Sequence, residues 1–340
     1  AEEILATLDE RGRLDEMPFM PEMFQYCGQT HRVFRSAHKT CDTVDNSGGR
    51  RLEDCVHLDL RCDGSAHGGC DAQCLFFWKT AWLRPVDEAE PGPQSGNGSA
   101  PAARCTTDDV ERATRARDAE DPADVIYSCQ ATTLPEYTQP LPWWDLGPYI
   151  TDLRTRNVDV GYVARGATYF GFRFVVRHTF WRVSQFLIRS YDRFQALRGG
   201  VPYPRHQGRV PAGTKTPDPE SVGLLEPGDL VRVRSYDEIL DTLNAYNKNR
   251  GMFFDAELGP YCGKTFRVKS KVLHFLEEQT GRMVHLKRPA YILEDVYCRP
   301  SYSECRFGCP RSIYSWWREI WLEKIESAET AAVEDEVPSQ

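Results

Sequence analysis

The chain has 340 residues, of which 41% are hydrophobic and 11% aromatic, so it is long enough for two or three cored units and too apolar for a disordered protein. It contains no run of about 18 apolar residues, which argues against a membrane span, and its acidic N-terminus lacks the apolar core of a secretory signal. We therefore expect a cytoplasmic protein. Its twelve cysteines are an unusually high number, and clustered cysteines in the cytosol bind metal more often than they form disulfides.

The N-terminal segment recurs near the C-terminus, aligned without a gap. Between Glu3–Val33 and Glu238–Val268, 14 of 31 positions are identical. The similarity resumes where WKTAWL at 78–83 matches WREIWL at 317–322. We interpret this pattern as an internal duplication of a unit of about 90 residues.

The spacing of four cysteines is also repeated in the two copies. The first copy spaces four of them C-x34-C-x7-C-x3-C and the second copy C-x35-C-x6-C-x3-C. A C-x3-C pair can present two sulfurs from one turn, and four thiolates close a structural zinc site. We therefore predict two zinc ions per chain, with iron–sulfur clusters as one alternative and disulfides or unligated thiols as another. The predicted ligands are Cys27, Cys62, Cys70 and Cys74 in the first set, and Cys262, Cys298, Cys305 and Cys309 in the second.

The other four cysteines have no counterpart in the second copy. Cys55, Cys105 and Cys129 are expected to be small buried hydrophobic residues, and so is Cys41 in the simplest interpretation. A second interpretation makes Cys41 a reactive thiol, because the flanking His38 and Lys39 could lower its pKa. Two histidines near the first cysteine set, His57 and His67, could replace a cysteine ligand, although the complete set of four makes that unnecessary.

Between the copies, residues 85–106 have the composition of a flexible linker. The stretch from Arg154 to Arg209 then carries eleven arginines, no lysine and two aspartates, and its net charge is +9. Arginine intervals of four, five and seven predict a long helix with charge along one side. The six arginines that we assign to this face are Arg165, Arg173, Arg177, Arg182, Arg189 and Arg193.

Three interpretations of this Arg-rich helix compete. It could be a core helix whose arginines pair with acidic surfaces of the repeats, or a basic amphipathic helix on an anionic membrane surface, or a binding element for nucleic acid or another polyanion. Because the anionic partner is unknown and could be a membrane surface, peripheral membrane association is an alternative to a purely cytoplasmic location.

In the second copy, GPYCGKT at 259–265 resembles a phosphate-binding loop but has one residue too few between its glycines. The first copy has Gln29 at the position of Lys264, so the lysine is dispensable and the shared residues are those of a Cys-Gly turn. A strand at 229–235, a short helix at 237–244, a hairpin across 265–288 and a strand at 290–298 are predicted around it. No set of residues typical of a catalytic site occurs, so enzymatic activity is left open.

Together these patterns predict an α+β, β-rich fold of two duplicated small β units, with an SH3-like barrel as the candidate architecture of each. Each unit would carry a four-cysteine metal knuckle, and the helical Arg-rich segment would bridge them. The expected function is a metal-stabilised scaffold or adaptor with a face for an anionic partner; the alternative is an iron–sulfur or reactive-thiol enzyme of a biosynthetic or tailoring pathway. The predicted regions are 1–84 (first repeat), 85–106 (linker), 107–227 (Arg-rich region), 228–326 (second repeat) and 327–340 (acidic tail).

Overall fold

The computed structural model describes residues 1–86, 104–121, 124–142, 144–219, 223–303 and 306–325. Most of the predicted linker, the predicted acidic tail and Cys305 therefore lie outside the described residues. The chain divides into two units. Unit 1 comprises Ala1–Tyr162, His274–His285 and Cys305–Ile313, and unit 2 comprises Val163–Leu273, Leu286–Glu304 and Tyr314–Gln340.

Unit 1 is built from short helices and short antiparallel strands. Its elements are α1 (Glu2–Leu5), β1 (Arg13–Leu14), β2 (Met17–Pro18), the 3-10 helix Pro21–Tyr26, β3 (Val33–Ser36), β4 (Lys39–Cys41), β5 (Gly49–Arg51), β6 (Cys55–Leu58), β7 (Trp78–Lys79), the 3-10 helix Thr80–Trp82, α2 (Thr107–Ala113), β8 (Arg115–Arg117), β9 (Ile126–Tyr127), β10 (Gln139–Leu141) and α3 (Gly147–Arg154). The strands form the pairs β1–β2 and β8–β9 and two three-stranded sheets, ordered β10-β5-β4 and β3-β6-β7.

The core of unit 1 is apolar and rich in aromatic and sulfur-containing side chains. Met17, Met23 and Leu134 are fully buried, and Phe77 and Trp78 are almost fully buried. Cys55, Cys105 and Cys129 also belong to this core cluster, as expected for small hydrophobic side chains. Burial of this apolar surface is the main stabilising contribution to the unit.

Unit 2 combines a helical pair with a five-stranded sheet. Its elements are α4 (Val160–His178), whose first three residues belong to unit 1, α5 (Trp181–Leu197), β11 (Leu230–Val233), α6 (Tyr236–Leu240), β12 (Lys248–Asn249), β13 (Met252–Phe253), the 3-10 helix Ala256–Tyr261, β14 (Thr265–Leu276), β15 (Met283–Tyr297), β16 (Tyr314–Trp317), the 3-10 helix Glu319–Trp321 and β17 (Leu322–Lys324). The strand order is β16-β15-β14-β11-β17, and the turn end of β14 and β15 belongs to unit 1.

The mixed α+β class is confirmed, with 27% of residues in helices and 25% in strands. The predicted SH3-like barrel is not confirmed, because the described part of the chain contains no closed barrel and its sheets are small and antiparallel. In the five-stranded sheet, β16 and β17 remain the two edges. They have only four and three residues beside central strands of 12 and 15, so the sheet remains open.

The Arg-rich segment is helical, but it forms two helices rather than one. Phe180 has an extended backbone, with φ −55° and ψ 142°, which ends α4 and starts α5. The buried Tyr169, Val176 and Ile188 pack in one apolar cluster with Tyr203. After α5 the backbone of Gly199 has φ +65°, a left-handed conformation that favours glycine and ends the helix. Within the described residues, no helix is long and apolar enough to cross a membrane.

The two copies of the repeat contain the same local elements in the same order. α1 corresponds to α6, the β1–β2 pair to the β12–β13 pair, and a six-residue 3-10 helix precedes the Cys-Gly turn in each copy. In the first copy, the Trp82 indole N–H donates to the Thr7 hydroxyl at 3.2 Å. In the second, the Trp321 indole N–H donates at 2.9 Å to the hydroxyl of Thr242, the residue that aligns with Thr7.

We expect Thr242→Val to destabilise the protein by about 1–2 kcal/mol, because it leaves the buried indole N–H of Trp321 without its acceptor. Urea unfolding followed by tryptophan fluorescence measures the change. The exposed Thr214 provides the control Thr214→Val, which should unfold with wild type. Equal midpoints for both variants would contradict the structural role of this bond.

Candidate metal centre

Three of the four predicted cysteines of the first set line one cavity in unit 1. We call Cys62, Cys70 and Cys74 the first knuckle. All three line a cavity of about 40 Å³, and Cys129 lines it as well. That volume exceeds the roughly 10–15 Å³ that a single water needs. Most of the remaining lining is apolar, including Met20, Leu75, Phe76, Phe77 and Leu276. Cys27 does not line this cavity.

The backbone of the first knuckle is closed by short hydrogen bonds. The Cys62 N–H donates to the Cys74 carbonyl at 2.9 Å, and the Gly64 N–H donates to the Cys62 sulfur at 3.3 Å. Gly64 has φ +72°, and a Cβ there would lie 2.2 Å from the Cys70 carbonyl oxygen. Glycine is therefore required for the chain to turn closely enough to bring Cys62 and Cys70 to the same cavity.

The buried carboxylate of Glu22 fixes the segment after Cys62. One of its oxygens, Oε1, accepts from the Ala66 N–H at 3.1 Å and lies 2.8 Å from His67 Nδ1. The Cys62 thiol donates to the same oxygen at 3.6 Å. Burial alone would raise the pKa of Glu22, but the hydrogen bond and charge of His67 outweigh it, and the pKa is lowered.

Glu257, which aligns with Glu22 in the repeat, has the same role in unit 2. Its two carboxylate oxygens accept from the Ser301 N–H at 2.8 Å and the Tyr302 N–H at 2.7 Å. Ser301 aligns with Ala66 in the repeat, just as Glu257 aligns with Glu22. The aligned backbone N–H therefore donates to the aligned glutamate in both copies. The glutamate is identical in the two aligned copies, but only its hydrogen bonds explain why it is buried and charged.

Glu22, Cys62 and His67 form the one group of three potential metal ligands, among the described residues, whose donor atoms all lie within 4.8 Å of one another. Glu22 Oε2 is buried and has no hydrogen-bond partner in the described part of the chain. Both ring nitrogens of His67, however, face oxygen atoms, since Nε2 lies 3.1 Å from the Ser128 carbonyl. His67 lines the cavity, but both of its ring nitrogens are already engaged in the hydrogen-bond network.

The thiols around the cavity are held in their neutral form. Burial raises the pKa of Cys74 to about 12 and that of Cys129 to about 11, and it also raises the pKa values of Cys62 and Cys70. A metal that binds here must therefore displace thiol protons. No three of the four sulfurs lie within 4.8 Å of one another, so the cavity separates them more widely than a single ion would.

Arg311 supplies a buried positive charge beside these thiols, and the sequence motifs did not single it out. It lines the cavity and is 1% exposed. Its guanidinium donates to the Thr43 hydroxyl at 2.7 Å and pairs with Glu278 at 3.3 Å. Burial lowers the pKa of Arg311, but Glu278 and the nearby thiols raise it further above its ordinary value.

The remaining predicted ligands lie elsewhere. The Cys27 thiol donates to the Met23 carbonyl at 3.9 Å, and the Cys262 thiol makes the same bond to the Leu258 carbonyl at 3.9 Å. Cys262 and Cys298 belong to unit 2, whereas Cys309 belongs to unit 1. No disulfide joins any of the eleven described cysteines.

Cys41 lies against Cys309 inside unit 1. The neighbouring Cys41 thiol lowers the pKa of Cys309, although burial opposes the shift. The predicted activating residue Lys39 is directed elsewhere: its ammonium lies 2.6 Å from Asp152 and donates to the Phe307 carbonyl at 2.8 Å. His38 also contacts Asp152, at 3.2 Å. Both side chains are thus satisfied by groups other than the Cys41 thiol.

The six arginines of the predicted face all lie on α4 and α5 of unit 2, and all except the half-buried Arg173 are exposed. Arg165, Arg177, Arg189 and Arg193 form no ion pair with another described residue. Between them the helices expose large apolar side chains, among them Phe174, Phe180, Trp181 and Phe186. For Arg165, Arg177, Arg189 and Arg193, the pairing with acidic surfaces that one interpretation expects is therefore absent from the described residues.

Comparison with known proteins finds no matching protein family and no similar curated protein.

His57 gives unit 1 a pH-dependent stability. It is fully buried, and burial lowers its pKa to about 3. The unfolded chain takes up a proton on this ring below about pH 6.5, whereas the folded chain does not until about pH 3. Stability is therefore lost as the pH falls through this window, by at most about 1.4 kcal/mol per pH unit.

We expect His57→Asn to flatten this dependence, since the shorter amide can still donate to the Phe76 carbonyl that His57 Nδ1 contacts at 2.8 Å. Urea unfolding at pH 7.0, 5.5 and 4.5 measures the slope. The exposed His285 supplies the control His285→Asn, which should keep the wild-type slope. An unchanged slope in His57→Asn would contradict the assignment.

Proposed function

We propose that this chain is a metal-binding scaffold protein in which unit 1 is closed around a thiolate-bound metal centre held by Cys62, Cys70 and Cys74. The single observation that carries the proposal is that these three cysteines, which the spacing C-x7-C-x3-C selects, line one cavity. The knuckle backbone is rigid before any metal binds, because hydrogen bonds to Glu22 and to the Cys62 sulfur fix it.

We further propose that the two copies are duplicated units of common origin. Their support is the local geometry that matches at aligned positions: the 3-10 helix before the Cys-Gly turn, the buried glutamate and the Trp–Thr hydrogen bond. The second zinc ion of the sequence analysis rests on the cysteine spacing alone.

Zinc is the metal that we propose for a structural role. A closed thiolate site is typical of structural zinc, and most of the cavity lining besides the cysteines is apolar. A structural role also fits Cys41, the candidate reactive thiol, because its side chain is only 3% exposed, whereas reactive cysteines are at least partly exposed.

A second candidate is an iron–sulfur cluster, and one observation favours it. Sulfurs bound to a single zinc ion lie about 3.8 Å apart, given a Zn–S bond of about 2.3 Å in a tetrahedron. In the cavity no three of the four sulfurs lie within even 4.8 Å of one another. A cluster separates its ligand sulfurs more widely, and would need less movement of the knuckle.

Metal analysis of the purified chain with its visible spectrum tests the proposal and chooses between the two metals. We expect a colourless protein with about two zinc ions per chain, and loss of about one of them in Cys74→Ser. A brown protein that contains iron and acid-labile sulfide would identify the metal centre as an iron–sulfur cluster instead of zinc. Cys55→Ser, at a buried thiol outside the cavity lining, is the matched control and should keep the wild-type content. A metal-free wild-type chain would contradict the function.

The helical pair α4–α5 is the proposed docking face of the scaffold, and its proposed partner is an anionic membrane surface. The face combines exposed arginines with exposed aromatic side chains. Helices of this composition lie in the interface of anionic bilayers, with arginines at the head groups and aromatic rings between the lipids. Its large apolar component distinguishes this face from one built only for phosphates in water.

Flotation with vesicles tests this partner. We expect the chain to float with vesicles containing 30 mol% phosphatidylserine, but not with pure phosphatidylcholine, and to be released as salt rises. The combined variant Arg177→Glu, Arg182→Glu and Arg189→Glu should lose flotation. Lys248→Glu, Lys264→Glu and Lys287→Glu together change the charge equally at exposed sites elsewhere in unit 2 and should retain it. Binding to a nucleic acid duplex but not to vesicles would overturn the choice of partner.

A further inference from the structure

We propose that the fourth sulfur of the metal centre in unit 1 belongs to Cys129, a cysteine outside the repeated pattern, and not to Cys27. The inference rests on the proposed function and names a further ligand of the same centre. Repeat spacing alone selects Cys27, because that position is a cysteine in both copies. The cavity selects differently: Cys129 is part of its lining together with the first knuckle, and Cys27 is not.

Cys27 has a structural role that explains its recurrence without a metal. Its thiol donates to the Met23 carbonyl at the end of the 3-10 helix Pro21–Tyr26, and Cys262 makes the same bond to Leu258. The following glycines, Gly28 and Gly263, have φ values of +79° and +76°. A small, weakly polar side chain that ends the 3-10 helix before a left-handed glycine accounts for both copies of the motif.

Cys129 is held against the first knuckle from both sides. Before it, the Ser128 carbonyl lies 3.1 Å from His67 Nε2, and His67 is itself bound to Glu22. After it, the Gln130 amide exchanges two hydrogen bonds with the backbone of Phe77, each 2.9 Å long. These bonds place the chain at Cys129 beside residues 62–77, as ligand preorganisation requires.

Cys129 lines the same cavity as the three cysteines of the first knuckle. A thiolate from Cys129 would complete the four-thiolate set that the three knuckle sulfurs alone would leave open.

The binding step balances by proton release. Four neutral thiols and one divalent ion give a tetrathiolate complex of charge −2 and four protons, which pass to solvent as each sulfur–metal bond forms. The buried guanidinium of Arg311, which lines the cavity, offsets part of that charge.

Metal content of single variants of the full chain tests the assignment. We expect Cys129→Ser to lose about one metal equivalent, as Cys74→Ser does, and Cys27→Ser to keep the wild-type content. Full content in Cys129→Ser with loss in Cys27→Ser would overturn the inference but leave the proposed function intact, whereas a metal-free wild-type chain would defeat the proposed function itself.

Because a ligand variant can fail to fold, the wild-type chain supplies a second measurement. The purified protein is treated with iodoacetamide before and after removal of metal by a chelator, and the labelled cysteines are identified by mass spectrometry. We expect Cys129 to become labelled only after chelation, together with Cys70 and Cys74. Cys55, an equally buried thiol outside the cavity lining, should remain unlabelled in both samples. If Cys70 and Cys74 become labelled after chelation but Cys129 remains unlabelled, as Cys55 does, the assignment is overturned.

Discussion

The arrangement of sulfurs in unit 1 depends on the buried carboxylate of Glu22. A carboxylate at 4% exposure is costly unless hydrogen bonds replace its water, and Glu22 meets that requirement by binding the Ala66 N–H and the His67 ring. The loop after Cys62 is therefore fixed to the 3-10 helix that carries Glu22. Cys70 and Cys74 follow in the same loop, and through His67 the constraint reaches the chain beside Cys129. One charged group thus organises the surroundings of the whole cavity.

Charge compensation is the second constraint on this region. Neutral thiols can be buried at little cost, but thiolates cannot, so the region needs a cation once a metal binds. Arg311 is buried where it faces the cavity, and Glu278 and Thr43 hold it there. Lys39, by contrast, is paired with the buried Asp152. The arginines of α4 and α5 are different again, because most of them face solvent beside exposed aromatic rings and so are available to a partner.

Much of the local structure could be predicted from the sequence, because it depends on contacts within a few residues. The strand 229–235, the short helix after it and the long hairpin appear as β11, α6 and β14–β15. The prediction of one long Arg-rich helix was wrong, since the extended backbone at Phe180 divides it. The barrel also failed: alternation of apolar residues predicts strands, but whether the outer strands are long enough to close a sheet is a tertiary property.

By itself, the sequence determined the repeat and the local elements of each copy, since identity and short-range turns suffice for these, and its spacing selected Cys62, Cys70 and Cys74, which line one cavity. Only the tertiary structure decided which other residues meet them. Cys129 joins a knuckle that ends much earlier in the chain, at Cys74, and Cys41 meets Cys309 from the opposite end of the sequence. Repetition marks Cys27 instead, and on the proposed assignment it does so because a residue that shapes a local turn recurs as faithfully as a ligand would. Burial and hydrogen bonding between distant segments separate the two roles, and neither is encoded in spacing.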